Sequence, residues 1–471
     1  MSRKPGGAHR PSVQLRAKPS TGPAERSSSL AGIRTTLLPF QAEPFGRLLA
    51  SYTINQLGDL VGVVALAILV YGETKDPLAT SGFFLAAQFL PAFGAPALTA
   101  RIDQAPLQWT LTGLYLAEAL LFVGLALLAE NFALWAVLLL TFFDGVLMLT
   151  ARGLTRGAVN AILQPTGSLR QGNGLLNLGF ALASVLGAAL GGVLVGRFGV
   201  TIALLVDAGS FALVALMFAT SRSLPLSSEE RDPFWKRIRE GIRHVRQDAA
   251  ARVLLGGEAL AVLLFSLIVP IEIVYAKETL GTSDAGFGGL LAAWCVGIVI
   301  GSMLYIAFRG RSAVGMILLS TTAIGIAYLG MAVVTSLGAA CALSILGGAG
   351  NGIQWVSVMT LLQERTPADL QARITVLLES LSSAAIGVGY LLGGVIVALT
   401  SPPLAYTISG GGVMLLVVAG AAWAARLRAT AAARPGSRES HVQAARPDLG
   451  RDDPLIPPPH AAAIDRITPD S

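Results

Sequence analysis

Two stretches of the sequence share one glycine pattern: Gly187-Ala188-Ala189-Leu190-Gly191-Gly192-Val193-Leu194-Val195 and Gly389-Tyr390-Leu391-Leu392-Gly393-Gly394-Val395-Ile396-Val397. Each glycine of the first stretch recurs 202 residues later, and both stretches lie in long apolar segments without proline, which predicts helices. Small residues four apart on one helix face let a neighbouring backbone approach closely within lipid. We therefore expect the chain to consist of two related halves, an organisation found in many secondary transporters. The expected helix-packing positions are Gly187, Gly191, Gly192, Gly389, Gly393 and Gly394.

The composition requires an apolar solvent. Of the 471 residues, 53% are hydrophobic and only 13% are charged, and the mean hydropathy is +0.65. A soluble domain carries about 25% charged residues. The lipid bilayer is thus the expected environment. The net charge of +6 is attributed to loop residues that set membrane orientation, and no nucleic-acid partner is expected.

The residues that would carry enzyme chemistry are missing or scattered. Cys295 and Cys341 form no Cys-x-x-Cys pattern, and all four histidines lie in the tails or in loops. No phosphate-loop motif occurs, and the glycine run 347–352 predicts close helix packing instead. We therefore expect no enzyme activity, no catalytic residue, no metal site and no cofactor.

Twelve apolar segments approach the ~20 residues that a membrane span needs. They are 47–71, 77–100, 106–129, 132–153, 171–196, 200–220, 253–276, 286–308, 313–335, 338–361, 374–399 and 404–426. The longest interruption, 221–252, separates an N-terminal six-helix bundle (47–220) from a C-terminal one (253–428). The polar stretches 1–46 and 429–471 predict disordered tails. The predicted fold is an all-α membrane protein with two pseudo-symmetric six-helix bundles.

The cations predict the orientation. With twelve spans both tails lie on one side, and the loops of the other side hold only Lys75, Arg197 and Lys277 of the 34 Lys and Arg residues. Cytoplasmic loops carry the excess of cations, so both termini are expected in the cytoplasm of a multi-pass cell-membrane protein. Within the linker, residues 232–246 alternate apolar and basic positions at helical spacing, which predicts an amphipathic helix at the inner leaflet.

The residues between the two tails resemble the major facilitator superfamily, and most closely its drug:proton antiporter branch with macrolide and siderophore exporters. The resemblance is carried by residues 169–177, by residues 187–192, Gly199 and Val206-Asp207-Ala208-Gly209-Ser210-Phe211, and by Leu362-Gln363-Glu364-Arg365-Thr366-Pro367 followed by Arg373. The resemblance implies the major facilitator fold and secondary active transport.

The sequence departs from the family pattern at two places. Ala188 replaces the proline that usually follows the glycine in the fifth helix. The loop after the second helix, Ala100-Arg101-Ile102-Asp103-Gln104, keeps the arginine and lacks the acid before it. The resemblance makes this loop a cytoplasmic gate, with Arg101 and Asp103 as its residues.

Acids inside spans are costly and are functional by default. Asp59 lies at the middle of the first span, and Asp144 and Glu118 lie near the middle of the fourth and third, whereas Asp207 lies closer to the outside and is expected to tie helix ends together. In the resembled fold the first, fourth, seventh and tenth helices line a central cavity. The implied cavity residues are Asn55, Asp59, Phe143, Asp144, Asn351, Gln354 and Trp355, with Asp59 and Asp144 in proton coupling, because desolvation favours the protonated form of a carboxyl group.

The predicted function is proton-driven export of a small organic or amphipathic compound, drug-like or siderophore-like, by alternating access. The expected partners are the bilayer, this substrate and protons, and the fold is expected to work as a monomer. Two alternatives stay open from the residues alone: a proton-coupled nutrient importer of the same fold, and a membrane sensor without transport. A membrane prenyltransferase is disfavoured, because its Asp-rich metal pair would have to be Asp452-Asp453 in a tail.

Overall fold

A computed structural model describes residues 38–102, 106–221, 224, 239, 242–243, 245–308, 311–366 and 368–432 of the chain. The residues up to Ala419 form one compact unit. Gly420–Ser471 form a second unit, of which the helix as far as Ala432 is described. Asp103 and most of the predicted linker and tails lie outside the described residues. Within the predicted linker helix, residues 239, 242–243 and 245–247 are helical.

The described residues form helices and connecting loops, preceded by a short 3₁₀ turn at Leu38–Gln41. In the first half, α1 is Phe45–Thr74, α2 runs from Pro77–Phe84 through a π-helical turn at Leu85–Phe89 into Pro91–Ile102, α3 is Leu107–Leu128, α4 is Leu134–Leu163, and α5 and α6 share Leu169–Ala219. In the second half, α7 comprises Ala249–Ser266, Val269–Ile271, Glu272–Val274 and a π-helical turn at Tyr275–Thr279, followed by α8 Asp284–Ala307, α9 Ala313–Met331, α10 Leu337–Arg365, α11 Ala368–Leu399 and α12 Pro402–Ala432.

Among the described residues, ten helices are long and apolar enough to cross a membrane. The predicted fifth and sixth spans, separated only by Gly199, count there as one helix of 51 residues. The helix α10 is not among the ten, because five glycines, Asn351 and Gln354 lower its hydropathy. The positions of the remaining spans agree with the prediction within a few residues, except that α4 extends to Leu163, ten residues beyond the predicted end.

Two local features shape the helix boundaries. Gly199, with φ 83° and ψ 169°, is the single non-helical residue between α5 and α6, and an L residue would be strained there. Asp76 caps α2: its Oδ1 accepts a hydrogen bond of 2.8 Å from the backbone N–H of Leu78, and Pro77 occupies the first helical position. The chain reverses between α1 and α2 within two residues as a result.

The two glycine patterns occupy equivalent places in the two halves. A Cβ atom on Gly187 would lie 2.6 Å from the carbonyl oxygen of Leu57 in α1, and one on Gly389 would lie 2.7 Å from that of Leu263 in α7. Gly191 and Gly393 lie one turn further along, against Val61 and Leu267 of the same two helices. Each half is therefore built on a close backbone contact between its first and fifth helices.

The third glycine of each pattern contacts the opposite half. A Cβ atom on Gly192 of α5 would lie 2.6 Å from the carbonyl oxygen of Asp284 and 2.8 Å from the Cα of Gly288, both in α8. A Cβ atom on Gly394 of α11 would meet the side chain of Ser81 in α2. One helix of each half thus binds both its own bundle and the other one.

These contacts between the halves lie at the end of the bundle that carries loop residues 75–76, 129–133, 199, 280–283, 332–336 and 400–401, which we name the distal end. Two hydrogen bonds accompany them. Tyr71 donates to Glu278 Oε1 at 2.5 Å, which joins α1 to α7, and Tyr390 donates to Gln88 Oε1 at 2.8 Å, which joins α11 to α2. The described contacts hold the two halves together at the distal end.

The apolar core continues from the N-terminal half into the C-terminal half. In the first half it includes the ring pairs Phe122–Phe211 and Tyr115–Phe218, with centroids 5.2 and 5.6 Å apart. In the second half Tyr406 lies between Tyr275 and Tyr328, at 4.6 and 5.7 Å. These rings anchor α3 to α6, and α7, α9 and α12 to one another.

We predict that Gly192→Ala opens the distal end. The added methyl group would meet backbone atoms, which cannot move aside as a flexible side chain can. On a background without Cys295 and Cys341, spin labels at positions 130 and 333, in the distal loops of the two halves, should show a longer distance in this variant.

Gly196→Ala is the matched control on the same helix. A Cβ atom there would have its nearest neighbour at 3.7 Å, an ordinary contact. Equal distance distributions in the two variants would contradict the role of Gly192 in closure.

We also predict the orientation of the distal end. A cysteine at Glu130, on the same cysteine-free background, should react with a membrane-impermeant maleimide in intact cells, because the distal loops hold few cations. A cysteine at Ser437 in the C-terminal tail should react only after permeabilisation. The opposite pattern of labelling would invert the proposed topology.

Candidate functional site

A buried ion pair joins α1 to α4 in the first half. Arg152 Nη2 lies 2.9 Å from Asp59 Oδ2, and the two side chains are 28% and 7% exposed. Removing two charges from water is expensive, and their attraction offsets this cost only when hydrogen bonds satisfy the remaining polar atoms. The surroundings of the pair therefore decide whether it is stable.

Side chains from three helices surround the pair. Asn55 Nδ2 donates to Asp59 Oδ2 at 3.0 Å, and Arg152 also donates to Gln56 Oε1 at 2.8 Å. Gln56 in turn donates to Ser184 Oγ on α5 at 3.4 Å. The network holds Asp59 in place from α1, α4 and α5, and its members define what we name the N-half cluster: Asn55, Gln56, Asp59, Arg152 and Ser184.

Three more acids lie in the same half without cationic partners among the described residues. Glu118 of α3 is fully buried, and neither of its carboxyl oxygens has a hydrogen-bond partner there. Asp144 of α4 is half-buried, and its Oδ1 is also unpartnered. Such groups are costly in an apolar bundle unless they are neutral or transiently paired.

The position of Asp207 in the structure differs from the expected one. It was expected near a helix end, but it is fully buried on α6, and its carboxyl group packs against Gly58 and Gly62 near the middle of α1. The two glycines provide the space that this carboxyl group fills. Its Oδ1 accepts a hydrogen bond of 3.1 Å from Ser210, and its Oδ2 has no partner in the described part of the chain.

The second half has a separate polar site on α7 and α10. Gln354 Nε2 donates to Glu258 Oε2 at 3.2 Å, and both residues are buried. They line a small cavity together with Asn351 of α10 and Thr321 of α9. We name this cavity, with these four polar residues in its wall, the C-half pocket. Two of the predicted cavity residues, Asn351 and Gln354, therefore lie together.

The other predicted site residues are more dispersed. Asn55 and Asp59 lie in the N-half cluster, whereas Asp144 is two helical turns from Arg152 along α4. Phe143 and Trp355 are 49% and 47% exposed. Arg101 is exposed at the last turn of α2, and its predicted gate partner Asp103 lies outside the described residues. All six predicted packing glycines lie at close helix contacts, as described above.

Sequence reasoning missed two residues. The predicted fourth span ended at residue 153, so Arg152 counted as a cation at a helix end. In fact α4 continues to Leu163, and Arg152 lies three turns inside it. Glu258 was not among the predicted site residues, and the signal that could have singled it out is the amide pair Asn351 and Gln354 at helical spacing in α10.

Comparison with known proteins shows the family to which the chain belongs. A family model described as "Transmembrane secretion effector" matches residues 34–449. The chain belongs to this family of the major facilitator superfamily. Its family and fold are those of transporters, and the helices are those of a multi-pass membrane protein. The expected fold class is confirmed.

Two curated relatives are similar to this chain at modest sequence identity. The uncharacterized MFS-type transporter YfiS of Bacillus subtilis (strain 168) is 25% identical over 395 residues, which cover 77% of this chain and 89% of YfiS. The enterobactin exporter EntS of Shigella boydii serotype 18 is 28% identical over 313 residues, covering 63% of this chain and 71% of EntS. The predicted resemblance to siderophore exporters is confirmed by these relatives.

Solved structures of other transporters share the fold of this chain. A mutant of the nucleoside transporter NupG superposes with a TM-score of 0.67 at 13% identity and covers 82% of this chain and 99% of its own. A structure titled as a bacterial metal transporter has a TM-score of 0.60 at 14% identity and covers 81% and 98%. At these identities the likeness concerns the fold alone.

We predict a coupling between Asp59 and Arg152 in stability. Arg152→Gln leaves a buried carboxylate, and Asp59→Asn leaves a buried guanidinium, so each single variant should lower the apparent melting temperature in detergent. Breaking a buried pair costs about 3–5 kcal/mol, and we expect the lower end because Arg152 is partly exposed.

The double variant should be more stable than either single variant, because neither charge is then left alone. A double-mutant cycle in thermal stability measures this coupling. Strictly additive losses would show that the pair contributes nothing as a pair.

Proposed function

We propose that this transporter exports a small organic, amphipathic compound in exchange for protons, with proton coupling at Asp59. The observation that carries the proposal is the buried Asp59–Arg152 pair, with atoms 2.9 Å apart. A carboxylate whose charge is balanced by one guanidinium group inside a bundle is a two-state element. It is either ionised and paired, or protonated and released.

The coupling step follows from this chemistry. A proton that binds Asp59 neutralises its carboxylate, and Arg152 loses its ionic partner. The guanidinium keeps its hydrogen bond to Gln56, so the change in charge falls on the contact between α1 and α4. Proton release restores the ion pair. The energy of the proton gradient is thereby transferred to the relative position of these two helices.

Asp144 is the proposed first acceptor of the proton. It lies on α4 nearer to the distal end than Arg152, and it is half-buried with one unpartnered oxygen. A proton that enters from the distal side would meet it before Asp59. Glu118, fully buried on α3, has no role in the proposal.

The contacts at the distal end support alternating access. The described helices of the two halves meet there through glycines and through the hydrogen bonds of Tyr71 and Tyr390. Separation at the distal end and closure at the opposite end would expose the site to the other side. Arg101, in the last turn of α2, and Asp103, two residues later in the sequence, remain the proposed gate residues at that opposite end.

The proposed direction and substrate class rest on two supports. The cations predict that the distal end faces the outside and that both termini lie in the cytoplasm of a cell-membrane protein. The relatives include proteins named as enterobactin exporters, which favours export of a siderophore-like or drug-like compound. A monomer suffices for this mechanism.

We predict that substrate-driven proton movement depends on Asp59. In proteoliposomes with a pH-sensitive dye inside, a panel of hydrophobic drugs and siderophores should include a class that moves protons in the opposite direction to itself. Asp59→Asn removes the titrating group and should reduce this signal to background while the protein remains folded.

Asp76→Asn is the matched control, because asparagine caps a helix as well as aspartate does. Its proton signal should equal that of the unmodified protein. Full proton exchange in Asp59→Asn would contradict the proposal, and movement of substrate and protons in the same direction would favour the importer.

A further inference from the structure

Glu258 is a buried acid whose environment differs from that of Asp59. It lies on α7 within a membrane-spanning segment and is 6% exposed. Its described partner is the Gln354 amide, a neutral donor, at 3.2 Å. No Lys or Arg of the described residues forms an ion pair with it. A charged carboxylate there lacks the compensation that Arg152 gives to Asp59.

The side chains around Glu258 leave a cavity of about 40 Å³, which has the size of a single ammonium group and not of a whole amphipathic molecule. The C-half pocket is walled by apolar side chains, among them Phe265 of α7 and Ile324 of α9. The Asn351 carboxamide faces the same cavity and makes no side-chain hydrogen bond within the described residues. The Thr321 hydroxyl donates to the carbonyl oxygen of Ile317 at 2.7 Å, so towards the cavity it can only accept.

The polar side chains of the pocket offer mainly hydrogen-bond acceptors. Glu258 and Thr321 offer oxygen lone pairs, and Asn351 offers a carbonyl oxygen as well as an amide. A ligand group that supplies several N–H donors and a positive charge would satisfy them together. The cavity has room for that group alone, so the hydrocarbon body of an amphipathic ligand would lie outside it. The Phe265 ring in the wall adds an aromatic face, which attracts a cation.

We propose that the C-half pocket is a binding subsite for the protonated amine of an amphipathic substrate, with Glu258 as its counter-ion. The inference rests on the proposed transport function and specifies its substrate. It assigns different tasks to the two halves. Asp59 already has Arg152 as its cationic partner and exchanges protons, whereas Glu258 has no such partner among the described residues and is open to a cationic ligand.

The experiment compares two probes that differ only in the polar group. The first is 1-naphthylmethylamine, which is a cation at neutral pH, and the second is 1-naphthylmethanol, which is a neutral donor of similar size. Equilibrium binding to the purified full-length protein in detergent is measured without a proton gradient, so the result does not depend on coupling. A charge-assisted hydrogen bond predicts a preference for the amine of about tenfold.

Three variants locate that preference. Glu258→Gln keeps the side-chain shape and should remove the preference for the amine. Ala261→Leu keeps the carboxylate but narrows the pocket, which Ala261 lines, and should weaken the binding of both probes. Asp59→Asn should retain the preference, because the proposed site is in the other half.

Glu130→Gln, in an exposed turn, is the matched control for loss of one acid and should bind like the unmodified protein. Equal affinity of the two probes for the unmodified protein would overturn the cationic specificity. An unchanged preference in Glu258→Gln, or its loss in Asp59→Asn alone, would overturn the assignment of the site. Antiport with a substrate that lacks an amine would leave the proposed function intact and refute only this inference.

Discussion

The close approach of helix backbones at glycines is the constraint on which the rest of the structure depends. In lipid the hydrophobic effect does not drive helices together, so packing and polar contacts between helices must do so. Gly187 and Gly389 each bring a backbone carbonyl of a neighbouring helix within the space of a missing side chain. The same two helices then use Gly192 and Gly394 for contact with the opposite half. The glycines that pack helices within each half and the glycines that contact the other half thus lie close together in the sequence.

The equivalence of the halves makes their chemical differences informative. Leu57 of α1 and Leu263 of α7 receive the first glycine of each pattern, so the residues two places further on, Asp59 and Phe265, occupy equivalent positions. One half has a carboxylate there with an arginine partner, and the other has an aromatic ring beside a polar pocket. The duplicated scaffold therefore carries a charged site on one side and an amphipathic site on the other.

The fold could be predicted from the sequence because each of its determinants is local or repeated. Apolar length defines the spans, and the offset between the glycine patterns relates the halves. The site was less accessible, because it depends on distances between helices. Asn55 and Asp59 share one helix and were found together, whereas Arg152 reaches them from α4 and was missed once that helix was predicted too short. Asp207 was misplaced for a similar reason, since only the packed structure shows that Gly58 and Gly62 leave room for its carboxyl group.

Gly199 has a mechanical consequence for the first half. The chain reverses at this residue, so α5 and α6 form a helical hairpin whose two arms pack along α1 in opposite directions. The first arm touches the opposite half at Gly192, and the second arm places Asp207 against the helix that carries Asp59. One tight turn therefore connects the interface between the halves to the ionisable centre of the bundle, and the backbone geometry of that turn restricts position 199 to glycine.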